Sequence, residues 1–178
     1  MRRIKISSLL QEKDLSVLLN KAFTLYGWIR TIRKQKSFAF IELNDGSCLK
    51  SLQIIVDEKC VDFSIIEELT TGASIQVDGK IVQSPGSNQS IEMQSEHIKL
   101  IGKCDAGSYP LQKKRHSFEF LRSIAHLRPR TNTQGAVSRV RNTLSFASQK
   151  FFKKRDSIIL QRPLSLLQIV KEVVIYFV

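Results

Sequence analysis

Over much of residues 23–101 the apolar positions alternate with polar ones, and the alternation is broken at regular intervals by turn residues. The segment 23–33 is rich in aromatic and β-branched residues, partly alternating, and predicts a strand. A polar turn at 34–36 leads to a second strand over 37–43, closed by Asn44-Asp45-Gly46-Ser47. A third strand is read over 51–57, and 73–82 alternates cleanly as a fourth. Residues 91–94 and 97–101 form a fifth, with a break expected near Ser95-Glu96. Between the third and fourth strands Phe63, Ile66 and Leu69 recur every third residue, which predicts a short helix over 61–69 stopped by Thr71-Gly72. A short leader at 16–21 precedes the first strand, and 84–89 reads as a loop. Further on, Val137, Val140, Leu144 and Ala147 fall at three- and four-residue steps, the apolar stripe of a helix over 133–154.

Three strands, a helix and two more strands is the element order of the OB-fold, a mainly β, five-stranded Greek-key barrel, here over residues 1–102. Such barrels commonly bind oligonucleotides or sugars across strands two and three. Phe38 and Phe40 lie two apart and so share a face of the second strand. Arg30, Arg33, Lys34 and Lys36 are close by, and Gln53 on the third strand has an amide that both donates and accepts. Rings stack on bases and cations pair with phosphates. The same residues also suit a barrel in which both rings are core and the cations solvate a hairpin. The pattern leaves both readings open.

Charge changes the picture. The 178 residues carry a formal net charge of +12. Residues 1–102 hold 13 basic and 12 acidic side chains, whereas 103–162 hold 14 basic and 3 acidic. A field concentrated in this way attracts polyanions, nucleic acid first and anionic membrane second, or else marks a solvated basic face. Apolar residues at 42% are enough for a core, which excludes wholesale disorder. No apolar run is long enough for a membrane span, and the start Met1-Arg2-Arg3-Ile4-Lys5-Ile6 is not a secretory signal. Cys48, Cys60 and Cys104 are widely spaced without a C-x-x-C, which argues against disulfides and zinc and fits a reducing cytoplasm.

The run Gly27-Trp28-Ile29-Arg30-Thr31-Ile32-Arg33-Lys34-Gln35-Lys36-Ser37-Phe38-Ala39-Phe40-Ile41-Glu42-Leu43-Asn44-Asp45-Gly46 resembles the anticodon-binding barrel of class IIb aminoacyl-tRNA synthetases. Tyr109-Pro110-Leu111-Gln112-Lys113-Lys114-Arg115-His116-Ser117-Phe118-Glu119-Phe120-Leu121-Arg122 and Ile124-Ala125-His126-Leu127-Arg128-Pro129-Arg130-Thr131-Asn132 resemble the asparagine–tRNA ligases of that class. The resemblance covers roughly residues 1–155. It implies that Phe40 stacks on the central anticodon base, a uridine, and that Arg33 and Gln53 hydrogen-bond to it. It further implies that the 84–89 loop lies where another anticodon base is read. Residues 103–130 resemble the basic hinge between barrel and catalytic domain, with Lys113, Lys114 and Arg115 as candidates for the tRNA backbone. Residues 131–155 resemble the class II motif 1 helix, which in the family builds a dimer interface; the alternative is a helix packed on its own domain. The implied partners are the anticodon arm of tRNA(Asn) and a second copy of the chain through the 133–154 helix, with no membrane. His116 and His126 are not expected to be chemical groups.

The complete family enzyme joins asparagine to tRNA using ATP and Mg²⁺, and needs motifs 2 and 3. The sequence shows neither motif, so no catalytic residue, metal ligand or cofactor is expected in this chain, and it is expected to lack aminoacylation by itself. Residues 156–178 depart from the family as a nearly unpatterned apolar tail. Back-translation from Arg155, read from the third base of each codon, allows Gly-Phe-Tyr-Tyr-Ile-Thr-Thr-Pro-Ile-Ile-Thr, which resembles the family's own continuation. A frameshift near residue 155 is the expected cause. The chain then reads as an N-terminal anticodon-binding part of an asparagine–tRNA ligase; the alternative is a stand-alone, non-catalytic OB-fold protein that binds tRNA or other nucleic acid.

Overall fold

The alternating segments pair as strands of a closed barrel. A computed structural model describes residues 4–86 and 89–156. Five strands, β1 (Ala22–Lys34), β2 (Phe38–Asn44), β3 (Leu52–Asp57), β4 (Ser74–Gln83) and β5 (Ile91–Gly102), close in the order β1-β2-β3-β5-β4. All pairs are antiparallel except β3 with β5. This is the OB-fold that the element order predicts. Strand β1 closes the barrel. Its first half pairs with β4 and its second half with β2.

Leu25, Ile29, Ala39, Ile41, Leu43, Leu52, Ile54, Val56, Ile75, Val77, Ile81, Met93 and Ile98 fill the interior, all essentially inaccessible to solvent. Two of the three register shifts in the barrel keep these apolar positions inside. In β5 the register passes from Gly79 opposite Ser95 to Asp78 opposite His97, so Glu96 is an extra residue. Before it Ile91, Met93 and Ser95 face inward; after it Ile98 does. The pattern break near Ser95-Glu96 is therefore a change of phase within one continuous strand, which an inserted residue absorbs. Gly79 sits at this irregularity because the backbone of β5 comes close. A Cβ there would lie 2.2 Å from the Gln94 carbonyl oxygen. The second bulge falls at Arg30 in β1, and it brings Ile32 opposite Ile41 and Arg33 opposite Phe40.

The helix read over 61–69 is a 3₁₀ turn, Phe63–Glu68. The spacing explains the difference. Residues three apart eclipse each other at three residues per turn, so Phe63, Ile66 and Leu69 share one side of a 3₁₀ turn. The structure also contains a helix the pattern did not reveal, α1 (Ile6–Gln11). Its Ile6 and Leu9 are buried in the core. The turn after β2 holds it: Ile6 N donates to Asp45 Oδ2 at 3.0 Å, and Ser7 N donates to Ser47 Oγ at 3.0 Å. Burial works to raise the Asp45 pKa, but hydrogen bonds from the Ser47 side chain and from backbone amides outweigh it and hold the carboxyl below its ordinary value.

The chain divides into two compact units, Met1–Arg130 and Thr131–Val178. The first unit includes, beyond the barrel, a short helix α2 (Phe118–Ser123), N-capped by Ser117, whose hydroxyl accepts from Phe120 N at 3.2 Å. Residues after β5 lie against the barrel. Gly72, at φ +93°, leaves room for the Tyr109 ring and Cys104 Sγ, and the Arg130 guanidinium lies 4.9 Å from the Trp28 ring centroid. The second unit holds α3 (Asn132–Lys153). Val137, Val140 and Leu144 of its stripe are more than half exposed, and Phe151 continues the stripe one further heptad step. The 156–178 tail of the sequence reading lies outside the described residues, apart from Asp156.

Candidate nucleic-acid interface

The outward face of β1, β2 and β3 brings the three sequence-predicted residues onto one surface. In β2 the inward positions are Ala39, Ile41 and Leu43, so Phe38 and Phe40 point outward and stay partly exposed. The reading in which both rings are core is thereby excluded. The two rings meet edge to face, with centroids 5.2 Å apart and planes at 78°. That is a favourable arrangement for aromatic pairs and limits ring rotation. Arg33 lies directly opposite Phe40 on β1 and is exposed. Ile55 lies opposite Phe40 on β3, and Gln53 is the next outward residue along that strand, opposite Glu42. A guanidinium, a ring and an amide therefore occupy neighbouring places on three adjacent strands. Lys34, beside Arg33, donates from Nζ to the Glu67 carbonyl at 2.9 Å, which ties the end of β1 to the 3₁₀ turn.

Lys113, Lys114 and Arg115 are exposed in the segment before α2, off the strands. His116 stacks on Phe120, with centroids 5.1 Å apart. Its Nε2 lies 3.1 Å from the Gln112 carbonyl, a structural placement.

Two residues escaped the sequence reading. Glu42 is exposed on the same face as Phe40 and Gln53. Glu92 on β5 is 4% exposed, and its Oε2 accepts from Ser84 Oγ at 3.2 Å, Gln89 Nε2 at 3.2 Å and Gln53 Nε2 at 3.5 Å. Ser84 and Gln89 belong to the 84–89 loop, so one carboxylate links the loop to strand β3. Strand alternation places Glu92 outward, where an acid is ordinarily solvated. Its burial goes with the hydrogen bonds it accepts from Ser84 and Gln89, which periodicity does not encode.

An aromatic pair, an exposed guanidinium and an amide on the outer face of an OB-fold sheet are the kinds of group with which such barrels hold oligonucleotides. Residues 23–101 match the family model for the OB-fold nucleic acid binding domain of the tRNA anticodon type. Over 164 residues, 91% of this chain, the sequence is 52% identical to an asparagine–tRNA ligase of Protochlamydia amoebophila, of which the match covers 35%. It is 51% identical over 148 residues to that of Syntrophobacter fumaroxidans, covering 82% of this chain and 32% of the relative. The chain is thus a homologue of the asparagine–tRNA ligases and spans about a third of the length of the curated relatives it matches. The crystal structure of asparaginyl-tRNA synthetase from Pyrococcus horikoshii shares the fold, with a TM-score of 0.73 at 21% identity over 90% of this chain and 37% of that one.

Proposed function

We propose that the barrel binds the anticodon arm of tRNA(Asn) and serves the ligase reaction as its anticodon-reading part. The observation that carries this is the row formed by Arg33, Phe40 and, one step along, Gln53 on the outer face of β1–β3. Phe40 stacks on the central uridine. Arg33 offers donors to its carbonyl oxygens, and Gln53 hydrogen-bonds to its edge. Lys113, Lys114 and Arg115 neutralise backbone phosphates, which positions the RNA without reading its sequence. Homology at about half identity supports tRNA as the partner.

The asparagine–tRNA ligases are class II synthetases that use ATP and Mg²⁺. Among the described residues no group of three or more His, Cys, Asp or Glu side chains could hold a metal ion. No step assigned to this barrel runs through either group. The chain's own contribution is to bind and orient RNA. A second copy of the chain is the partner we propose for α3, whose exposed Val137, Val140 and Leu144 fall at coiled-coil spacing. The setting that fits this role is the cytoplasm. Among the described residues no helix is long and apolar enough to cross a membrane.

The test is the affinity of the full chain for a tRNA(Asn) transcript and for the same transcript with the central anticodon U changed to C. Weakening by about ten-fold or more is expected, since one good pair of base-edge hydrogen bonds discriminates by about 1–3 kcal/mol. Equal affinity for the two would instead identify a stand-alone binder that recognises RNA by charge and stacking alone.

A further inference from the structure

We infer that Lys34 is a positioning residue: it ties the end of β1 to the 3₁₀ turn and so holds Arg33 where it reads a base, without touching the RNA itself. This rests on the reading of Arg33 as a base-edge contact. The ladder from β1 to β4 ends at Trp28, whereas the ladder to β2 runs on to Lys34. Arg33 therefore stands on a stretch laddered to one neighbouring strand, beyond the bulge at Arg30. A strand paired on one side twists and opens more readily than one paired on both. Lys34 supplies a tie from this stretch to another element. Partners across an antiparallel ladder share a face, and Lys34 lies opposite the buried Ala39, whereas Arg33 lies opposite Phe40. Successive side chains leave a strand on opposite faces, so Lys34 turns away from the surface that carries Arg33 and Phe40. There its Nζ donates to the Glu67 carbonyl at 2.9 Å. Glu67 stands near the end of the turn Phe63–Glu68, where carbonyls have no donor within the turn and draw cations. The turn is itself anchored, because Ile66 and the following Leu69 are buried in the core. The lysine that charge and nearness would assign to a phosphate is thus engaged on the other side of its strand. The consequence is chemical. A guanidinium only donates, so it suits the O4 of uracil and not the N4 amino group of cytosine, provided it is held at that edge. A guanidinium free to move turns to solvent or to a phosphate instead, and discrimination falls before affinity does.

The experiment measures binding of anticodon stem-loop RNAs with U or C at the central position to the full chain, by fluorescence anisotropy over a series of salt concentrations. The wild type is expected to favour U by about ten-fold or more. Lys34→Met keeps the stem and loses the donor. It is expected to cut the U-to-C ratio by about three-fold or more, with the slope of log K against log salt unchanged. Lys34→Arg, which can still donate to the carbonyl, is expected to restore the ratio. Equal weakening of both RNAs, with a slope shallower by about 0.7–0.9, would make Lys34 a phosphate contact and overturn the inference. An unchanged ratio in Lys34→Met, or a reduced ratio that Arg does not restore, would overturn it too. A wild type without preference would instead overturn the base-reading role of Arg33, and the inference with it. A measurement on the unaltered protein covers a variant that does not fold: the Lys34 ε-methylene signal followed by NMR during titration with the U RNA. That signal is expected to keep its position while the Arg33 Nε–H signal moves. A Lys34 signal that moves together with that of Arg33 would sink the proposal.

Discussion

At the scale of single residues, the outer face separates from the core by one fact, the phase of β2. Both faces of 38–43 are apolar, Phe38 and Phe40 on one and Ala39, Ile41 and Leu43 on the other, so alternation showed which residues go together but not which set is buried. The closed barrel takes Ala39, Ile41 and Leu43 inside. Phe40→Ala is therefore expected to weaken tRNA binding by about 1–3 kcal/mol, the worth of one base stacked on a ring, with little change in the melting temperature. Paired binding and thermal-melt measurements check this; a large drop in melting temperature would return the ring to the core. Asp45 gives a second residue-level prediction. Its lowered folded-state pKa means its stabilising contribution is present above the ordinary carboxylate value and is lost as pH falls through the lowered one. Wild-type melting temperature is expected to decline below about pH 4, and Asp45→Asn should lack that component of the decline. Neither the anchoring role of Asp45 nor the burial of Glu92 was legible in the sequence, since both depend on partners distant along the chain.

At the scale of elements, strands were legible because alternation survives over stretches of each, interrupted in β1 and β5 by bulges. What failed was local. The three-residue spacing of Phe63, Ile66 and Leu69 pointed to a helix and produced a 3₁₀ turn, and α1 is too short to display a period. The break in β5 was visible, but its meaning as a bulge required the opposing strand. Gly79 is the element-level test of that bulge. With a Cβ 2.2 Å from a backbone oxygen, Gly79→Ala must displace β5, and a loss of roughly 1–3 kcal/mol or more is expected from urea denaturation. Gly46, at φ +78° with nothing within 4 Å of its Cβ position, is the converse case, a strained backbone without crowding, and its Ala variant separates the two effects.

At the scale of the whole molecule, charge asymmetry and motif resemblance were both legible, and the homology to asparagine–tRNA ligases agrees with them. The way the charge acts gives a further prediction. Replacing Lys113, Lys114 and Arg115 together by Ala should weaken all tRNAs alike and flatten the salt dependence of log K by roughly 2–3, near one unit per lost phosphate contact. A changed preference between U and C transcripts in that variant would show that these cations read sequence. The exposed stripe of α3 is tested by Val140→Glu with Leu144→Glu, expected to shift sedimentation from dimer to monomer if a second copy covers it. The closing role of β1 also has a consequence for biosynthesis. Its second half finds β2 as soon as the hairpin leaves the ribosome. Its first half has no partner until β4 has been made, and β4 in turn waits for β5. For that interval the nascent chain presents an unpaired, aromatic-rich edge, open to neighbouring chains. Slowing translation between codons 45 and 75 would lengthen that exposure and lower soluble yield without altering a single contact in the finished barrel.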